Sequence, residues 1–306
     1  MYYFQRIHTT GICISLLFLL PLLALSACTD LGPDVERTQS VIPENWPREG
    51  LNGIWATSGN NVFVAGTAGT ILHYNGSDWK QMNSNTSTDL NDIWGSSSDN
   101  IFAVGKDAVI LHYNGSDWSE VENPASGNLN SIWGISAEII YAAGSDGEIL
   151  QFNGSEWRMM ETPSDDRLNS IWGTSGVNIF SVSAAGTILH YSGTEWKEIA
   201  SGKPPLYTVW GSSPSDVFAA GSAGTILFYD GEEWLPMFSP NNKGLYGIWG
   251  SSKNNVYAVG TNGTILHFDG SDWRQKKSPV TQNLNAIWGL RDDILIVGEF
   301  STIFQP

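Results

Sequence analysis

Short apolar runs separated by polar turns recur along most of this chain. In the copy at residues 90–118, apolar residues occupy Leu90–Trp94, Ile101–Val104 and Val109–Tyr113, and another run begins near Trp118. Runs of this length that contain β-branched and aromatic residues and end at polar turns predict β-strands. Four such strands in one copy leave no room for helices, so the pattern predicts an all-β fold of antiparallel strands.

Two kinds of tight turn punctuate each copy. The second turn usually has the form Gly-x-x-Gly-Thr, as in Gly66–Thr70, and the third turn carries a pair such as Asn114–Gly115. Asn and Gly both tolerate positive φ. The third turn is therefore predicted to be a type I′ hairpin with positive φ at both positions.

Tryptophan marks the repeat most clearly, because the fourteen Trp of the chain fall into two sets of seven. The first set follows the opening Leu-x-x-(Ile/Val) of each copy and comprises Trp55, Trp94, Trp133, Trp172, Trp210, Trp249 and Trp288. The second set follows the third turn and comprises Trp46, Trp79, Trp118, Trp157, Trp196, Trp234 and Trp273. In six copies the second Trp lies 24 residues after the first, and the copies repeat every 39 residues, once 38. A period of about 40 residues with four strands is typical of a β-propeller blade.

The two ends of the repeat predict how the propeller closes. The copy around Trp288 has only three strands, the last at Thr302–Phe304, and Glu44–Trp46 matches the missing fourth strand. We therefore expect the N-terminal strand to complete the last of seven blades, which removes open sheet edges. The borrowed strand is outermost in such closures, so the Leu-x-x-Ile-Trp-Gly strand is predicted to be innermost and the Trp side chains to fill the space between blades.

Residues 1–27 differ from the repeat and are predicted to be a secretory signal peptide. Arg6 lies in a short polar start, and the apolar run Ile12–Leu25 is short compared with the ~20 apolar residues of a membrane span. The sequence Leu25-Ser26-Ala27-Cys28 resembles the lipobox of bacterial lipoproteins, which implies cleavage before Cys28 and attachment of acyl chains to it. The alternatives are an uncleaved anchor helix and an ordinary signal peptide with an incidental Cys.

The sequence around this junction fits lipid attachment. Cys13 lies inside the predicted signal peptide, so Cys28 would be the one cysteine of the mature chain, and no internal disulfide is expected. Residues 28–43 are predicted to be a lipidated N-terminus and tether that leads to a propeller domain at residues 44–306. By resemblance to enterobacterial sorting, Thr29 favours the outer membrane or the cell surface for this exported protein.

The charge of the chain argues against nucleic acid as a partner. The formal net charge is −16, with only 15 Lys and Arg residues that are scattered along the sequence. Binding to a phosphate backbone requires clustered basic residues. The acidic surface instead favours solubility.

The pattern that carries a family resemblance is Ile-Trp-Gly-Ser-Ser at the first strand, followed by Gly-Thr-Ile-Leu-His-(Tyr/Phe)-(Asn/Asp)-Gly-Ser-Asp-Trp, and the copies match it with variations. These copies resemble the Trp-rich propeller repeats of bacterial exported proteins, and through them sialidase-type and photosystem-assembly-factor-like propellers. The resemblance covers residues 44–306 and implies a propeller fold, which hosts many activities. The full Asp-box motif and the Arg triad of a sialidase are both missing from the sequence.

Candidate chemical groups are spread evenly over the copies. The mature chain has four histidines at one position of the third strand, namely His73, His112, His190 and His267. The third turns carry an acidic residue each, namely Asp78, Asp117, Glu156, Glu195, Glu233 and Asp272. Sevenfold geometry would hold such groups apart, whereas a metal site needs them within a few Å. We therefore expect no metal, no cofactor and no catalytic residue, with weak cation binding by the acidic turns as the alternative.

The predicted binding face is the one that carries the second turns and the connections between blades. The residues after the opening Leu should line the mouth of the central channel; they are Asn52, Asn91, Asn130, Asn169, Tyr207, Tyr246 and Asn285. Two second turns depart from the glycine rule and carry charge, through Lys106 with Asp107 and through Glu299 with Phe300. The Asn side chains could equally hydrogen-bond the backbone of adjacent blades, and the charged turns could be neutral variation.

Together these features favour a non-catalytic envelope lipoprotein, anchored to the membrane through Cys28, that binds or scaffolds a protein partner. A carbohydrate-binding propeller is the alternative, because Trp-rich repeats can stack sugars. A glycoside hydrolase is a further alternative on resemblance alone, since nothing in the sequence singles out two carboxylates that face one bond.

Overall fold

The computed structural model of this chain describes residues 48–290 and 293–306, which form twenty-seven β-strands in seven sheets. Blade 1 contains β1 (Leu51–Ser58), β2 (Asn61–Gly66), β3 (Ile71–Tyr74) and β4 (Trp79–Met82). Blade 2 contains β5 (Leu90–Ser97), β6 (Asn100–Gly105), β7 (Ile110–Tyr113) and β8 (Trp118–Glu120). Blade 3 contains β9 (Leu129–Ser136), β10 (Ile139–Gly144), β11 (Ile149–Phe152) and β12 (Trp157–Met160).

The remaining blades repeat this arrangement. Blade 4 contains β13 (Leu168–Ser175), β14 (Asn178–Ser183), β15 (Ile188–Tyr191) and β16 (Trp196–Ala200). Blade 5 contains β17 (Leu206–Ser213), β18 (Asp216–Gly221), β19 (Ile226–Tyr229) and β20 (Trp234–Pro236). Blade 6 contains β21 (Leu245–Ser252), β22 (Asn255–Gly260), β23 (Thr264–Phe268) and β24 (Trp273–Lys276). Blade 7 contains β25 (Leu284–Leu290), β26 (Asp293–Gly298) and β27 (Thr302–Phe304).

The seven sheets confirm the predicted seven-bladed β-propeller. Six sheets have four antiparallel strands in chain order, and the described part of blade 7 has three. Single-turn 3-10 helices occupy four of the second turns, at Thr67–Gly69, Ser145–Gly147, Ser222–Gly224 and Thr261–Gly263. Among the residues described, no helix has the length and apolar character needed to cross a membrane.

The first strand of each blade is the innermost, as the sequence predicted, because the first strands of neighbouring blades contact one another all the way round, from β1 to β25. Blade 7 meets blade 1 directly. The Ser301 amide donates to the Glu49 carbonyl at 2.7 Å, and the Asn285 side chain donates to the Leu51 carbonyl at 2.9 Å. The predicted closing strand around Trp46, the signal peptide and Cys28 lie outside the described residues.

Tryptophan packs between neighbouring blades at two radii. Outer-strand Trp157 is buried and meets Phe102 of the preceding blade edge-on, with ring centroids 6.0 Å apart. Inner-strand Trp94 is half-buried and lies over Gly134 of the next blade so closely that a Cβ there would sit 2.8 Å from the indole ring. Burial of so large an apolar side chain contributes about 2 to 3 kcal/mol, so the Trp residues of both sets stabilise the joints between blades in the described part of the ring.

The prediction for the third turn is wrong in its turn type. Gly115 has a φ of 93°, but Asn114 does not have positive φ. The Asn114 side chain instead accepts hydrogen bonds from the Ser116 and Asp117 amides at 2.9 and 3.0 Å, which holds a four-residue loop. Asn side chains favour this local bond to amides two and three residues on, and that bond replaces the type I′ geometry.

Candidate functional site

The second turns and the connections between blades share one face of the propeller, which we call the turn face. In every blade the first residue of the second turn donates its amide to the carbonyl just before the opening Leu, at 2.8 to 3.0 Å. In blade 2, for example, the Lys106 amide donates to the Asp89 carbonyl at 2.9 Å. These bonds fix each second turn beside the connection that enters its own blade.

Five asparagines form a belt of hydrogen bonds around the channel mouth on this face. Each Asn amide donates to the carbonyl of the opening Leu in the next blade, at 2.7 to 2.9 Å; the donors are Asn52, Asn91, Asn130, Asn169 and Asn285. The structure therefore shows the alternative in which these Asn side chains hydrogen-bond the backbone of adjacent blades. Each of these amides already has a partner within the ring.

Tyr207 and Tyr246 interrupt the Asn belt in two consecutive blades. Their rings lie 5.5 Å apart at an interplanar angle of 40°, and Tyr246 is 36% exposed. The Thr261 hydroxyl donates to the Tyr246 hydroxyl at 3.2 Å. In the part of the chain that the structure describes, no side chain donates to the Leu245 or Leu284 carbonyl, where the belt would otherwise continue. Leu245 and Leu284 are fully buried, so what the interruption adds at this point is accessible aromatic surface.

The two charged second turns make local contacts. The Lys106 ammonium pairs with Asp89 at 2.6 Å and holds the pKa of that carboxyl below its ordinary value. The Asp107 amide donates to the Asn128 side chain at 3.0 Å.

The Glu299 carboxylate accepts a hydrogen bond from the Asn283 amide group at 2.9 Å, whereas neighbouring Phe300 is 59% exposed. The accessible side chains of the two charged turns are therefore those of Lys106, Asp107 and Phe300.

Phe238 is an exposed aromatic residue of the turn face that the sequence reasoning missed. It lies in the connection between blades 5 and 6 and is 82% exposed. The only signal in the sequence is a bulky apolar residue within a connection that is otherwise polar. The connection has its own hydrogen bonds, because the Lys243 amide donates to the Asn241 side chain at 3.0 Å and the Ser239 hydroxyl donates to the Asn241 carbonyl at 2.8 Å.

Asp92 is a second residue that the sequence reasoning missed. Its carboxylate accepts from the Ile93 amide at 2.9 Å, from the Ile132 amide of the next blade at 2.9 Å and from the Ser131 hydroxyl at 3.0 Å. Part of the residue's surface stays accessible, but protein encloses the carboxylate, and this burial raises the pKa of Asp92 to about 6. Ser131 continues the series by accepting from the Ile171 amide at 3.3 Å. These bonds join blades 2, 3 and 4.

The four histidines lie in four separate blades. His73 stacks on Phe63 of its own blade at a centroid distance of 4.2 Å, and its Nε2 lies 2.6 Å from Asn61 Oδ1. The Asn61 amide donates to Thr57, so the histidine nitrogen is the donor to Asn61. The other three histidines contact an Asn at the equivalent position, and burial lowers the pKa of all four rings. Each histidine ring therefore makes its Asn contact within its own blade.

The acidic third turns are equally separate, and three of them, Glu156, Glu195 and Asp272, pair with a basic neighbour on the same blade, as Glu195 does with Lys197 at 2.8 Å. Within residues 48–290 and 293–306 no three His, Cys, Asp or Glu side chains converge as a metal site would require. A shallow cleft of about 360 Å³ on blade 1 has no titratable lining; its residues are Ala68, Gly69, Gln81, Met82, Asn83, Ser84 and Thr86. None of these places assembles groups for acid–base or nucleophilic chemistry.

Solved structures with the same architecture agree with the blade count. YCF48 from Cyanidioschyzon merolae is 15% identical, with a TM-score of 0.72 over 87% of this chain and 98% of that chain. YCF48 bound to D1 peptide is 16% identical, with a TM-score of 0.71 over 84% and 93%. The WD40 β-propeller domain of Doa1 is 14% identical, with a TM-score of 0.72 over 84% and 92%. At these identities the likeness shows the fold alone.

No protein-family model matches this sequence, and the search of curated proteins found no match. The propeller fold is therefore established, while function has to be argued from the turn face itself.

Proposed function

We propose that this propeller is a non-catalytic binding protein that takes a segment of a protein partner on its turn face. The observation that carries the proposal is the interruption of the Asn belt by Tyr207 and Tyr246, which places accessible aromatic surface at the channel mouth. Aromatic residues are enriched at protein interfaces because they combine a large apolar area with a polar tip.

The surroundings of the tyrosine pair support protein over carbohydrate. A carbohydrate site would be favoured by acidic groups beside Tyr207, Tyr246 or Phe300. The connections at residues 201–205 and 237–244, which lead into the two tyrosine strands, contain no Asp or Glu. The Glu299 carboxylate beside Phe300 is already bonded to Asn283. YCF48, a propeller of similar fold, is known with a D1 peptide bound, which is a precedent for the binding mode in that protein.

The experiment restores the Asn belt. A Tyr207→Asn/Tyr246→Asn variant copies what five other blades carry, so it should fold and should lose the aromatic surface. The full chain and this variant are used in crosslinking capture from envelope extract, beside a glycan array, with Val177→Asn as the control for an exposed residue on a first turn. We expect specific protein capture by wild type and control but not by the variant. Saturable glycan binding without protein capture would replace the proposal with the carbohydrate alternative.

We further propose that the chain is exported and anchored in the bacterial envelope by acyl chains on Cys28, with residues 1–27 removed. The support is the Leu25-Ser26-Ala27-Cys28 sequence, which follows an apolar run shorter than the ~20 residues of a membrane span. Mass spectrometry of membrane-extracted protein should find an acylated Cys28 at the new N-terminus. A Cys28→Ser variant that still fractionates with the outer membrane would contradict the anchor.

A further inference from the structure

The connections next to the tyrosine pair are basic, whereas the other four contain acidic residues. Each of the four connections that lead into blades 1 to 4 carries at least one Asp or Glu. The next three connections, at residues 201–205, 237–244 and 277–283, carry none and contain one lysine each, Lys203, Lys243 and Lys277. In a chain of net charge −16, this is a local reversal of sign. We call these three connections, with Tyr207 and Tyr246, the Tyr–Lys sector.

The three lysines have no carboxylate partner among the described residues. The ammonium groups of Lys106, Lys197 and Lys253 each lie within 4 Å of an Asp or Glu oxygen. In the described part of the chain, the ammonium groups of the Tyr–Lys sector form no such ion pair. Lys203 and Lys243 are half-buried against the protein and Lys277 is exposed. Their charges therefore remain available to an incoming anion, and an anionic partner would gain from the contrast with the acidic surface around the sector.

Phe238 gives the Tyr–Lys sector an apolar contact on an ordered loop. The side chain is 82% exposed although the connection around it has internal hydrogen bonds and the Met237 amide donates to the Ile226 carbonyl at 2.9 Å. An exposed Phe on a preformed loop costs little conformational entropy when it binds. It also distinguishes this sector from a purely electrostatic surface.

Resting on the proposed protein-binding function, we infer that the Tyr–Lys sector binds an extended peptide that carries carboxylates next to aromatic or long apolar side chains. Carboxylates of the peptide meet the Lys203, Lys243 and Lys277 ammonium groups, and its apolar side chains pack on Phe238 and on the tyrosine pair. The acidic connections of blades 1 to 4 repel the same peptide, which confines it to this sector.

The test uses fluorescein-labelled peptides and fluorescence polarisation on the full chain. One peptide alternates Glu with Phe, a second has Lys in place of Glu, and a third has Ala in place of Phe. We expect the first to bind and the other two to bind at least about tenfold more weakly. A Lys203→Glu/Lys243→Glu variant should weaken the first peptide by about tenfold or more, while a Lys197→Glu/Lys253→Glu variant, which changes the net charge equally, should not.

Several outcomes overturn the inference. Equal affinity for the three peptides would show that sequence does not matter, and equal affinity of the two lysine variants would place the peptide elsewhere. Competition by a short DNA single strand as effective as that by the Glu-Phe peptide would show a general polyanion surface. If the Tyr207→Asn/Tyr246→Asn variant loses protein capture while the lysine variant keeps it, the proposed function stands and the acidic-peptide inference falls. If neither variant changes capture, the proposed function itself is wrong.

Discussion

Replacement of Asp92 by Ser should remove a pH-dependent term from the stability of the ring. The Asp92 carboxylate has only uncharged hydrogen-bond partners, the Ile93 and Ile132 amides and the Ser131 hydroxyl, and burial raises its pKa to about 6. The ordinary pKa of an Asp side chain, as in an unfolded chain, is 3.8. The difference of about 2 pK units corresponds to about 3 kcal/mol at 1.36 kcal/mol per unit.

The sign of the effect follows from proton linkage. Because the folded state holds the Asp92 proton more tightly than the unfolded state, this group favours folding most below pH 4 and loses that contribution as the pH rises to about 6. Above pH 6 the folded chain contains a buried carboxylate that is only partly compensated by its hydrogen bonds. The Asp92→Ser variant keeps a hydroxyl like that of Ser131 at the equivalent position of the next blade, and it has no group to titrate.

Urea denaturation of both proteins between pH 4 and 8 measures the effect. The free energy of unfolding of wild type minus that of Asp92→Ser should fall by about 3 kcal/mol from pH 4 to pH 7 and then stay level. Subtraction cancels the other carboxylates, and Asp117→Ser, at an exposed third turn, should show no such change. A difference between wild type and Asp92→Ser that is constant with pH would refute the reasoning.

Three further substitutions test the geometry of the blades by thermal or urea denaturation. Ala108→Gly should raise the free energy of unfolding by about 1 kcal/mol, because Ala108 has a φ of 58°; a loss of stability would show that its methyl group packs usefully. Gly134→Ala should cost about 1 to 3 kcal/mol, since the new methyl would lie 2.8 Å from the Trp94 ring, and an unchanged melting temperature would contradict that packing. Asn91→Ala should cost about 1 to 3 kcal/mol by leaving the Leu129 carbonyl without its donor, a cost that vanishes if water takes the donor's place.

The repeat made the fold predictable, because seven copies report the same local structure. The strand predicted at Leu90–Trp94 is observed at Leu90–Ser97, and the strand predicted at Val109–Tyr113 is observed at Ile110–Tyr113. The incomplete last copy and its match at Glu44–Trp46 predicted one Trp of each copy on the innermost strand and one on the outermost. Strand ends were less accurate, since the polar residues after Trp94 continue the ladder although they lack the apolar pattern.

The details that the sequence did not predict depend on residues far away in the chain. Asp92 occupies a position that is Gly53 in blade 1 and Ser131 in blade 3, and its burial comes from the backbone of blade 3, 40 residues away. The prediction for the third turn was wrong for a different reason. Asn114–Gly115 is compatible with either a two-residue hairpin or a loop stabilised by the Asn side chain. The hydrogen bonds from the Ser116 and Asp117 amides to Asn114 stabilise the loop, and these bonds exist only in the folded turn.

Sevenfold repetition also explains where function should be sought in such a ring. A side chain that recurs from blade to blade contacts the same partner in the next blade each time, as the Asn belt and the Trp sets do. Such side chains therefore stabilise the joints between blades. A binding site needs a place where the repetition fails, and the failures must fall side by side to form one surface. Tyr207 and Tyr246 are consecutive departures from the Asn position, and the three connections without acidic residues surround them. Two independent departures from the repeat therefore coincide in one sector of the turn face, which is the physical reason to place the partner there.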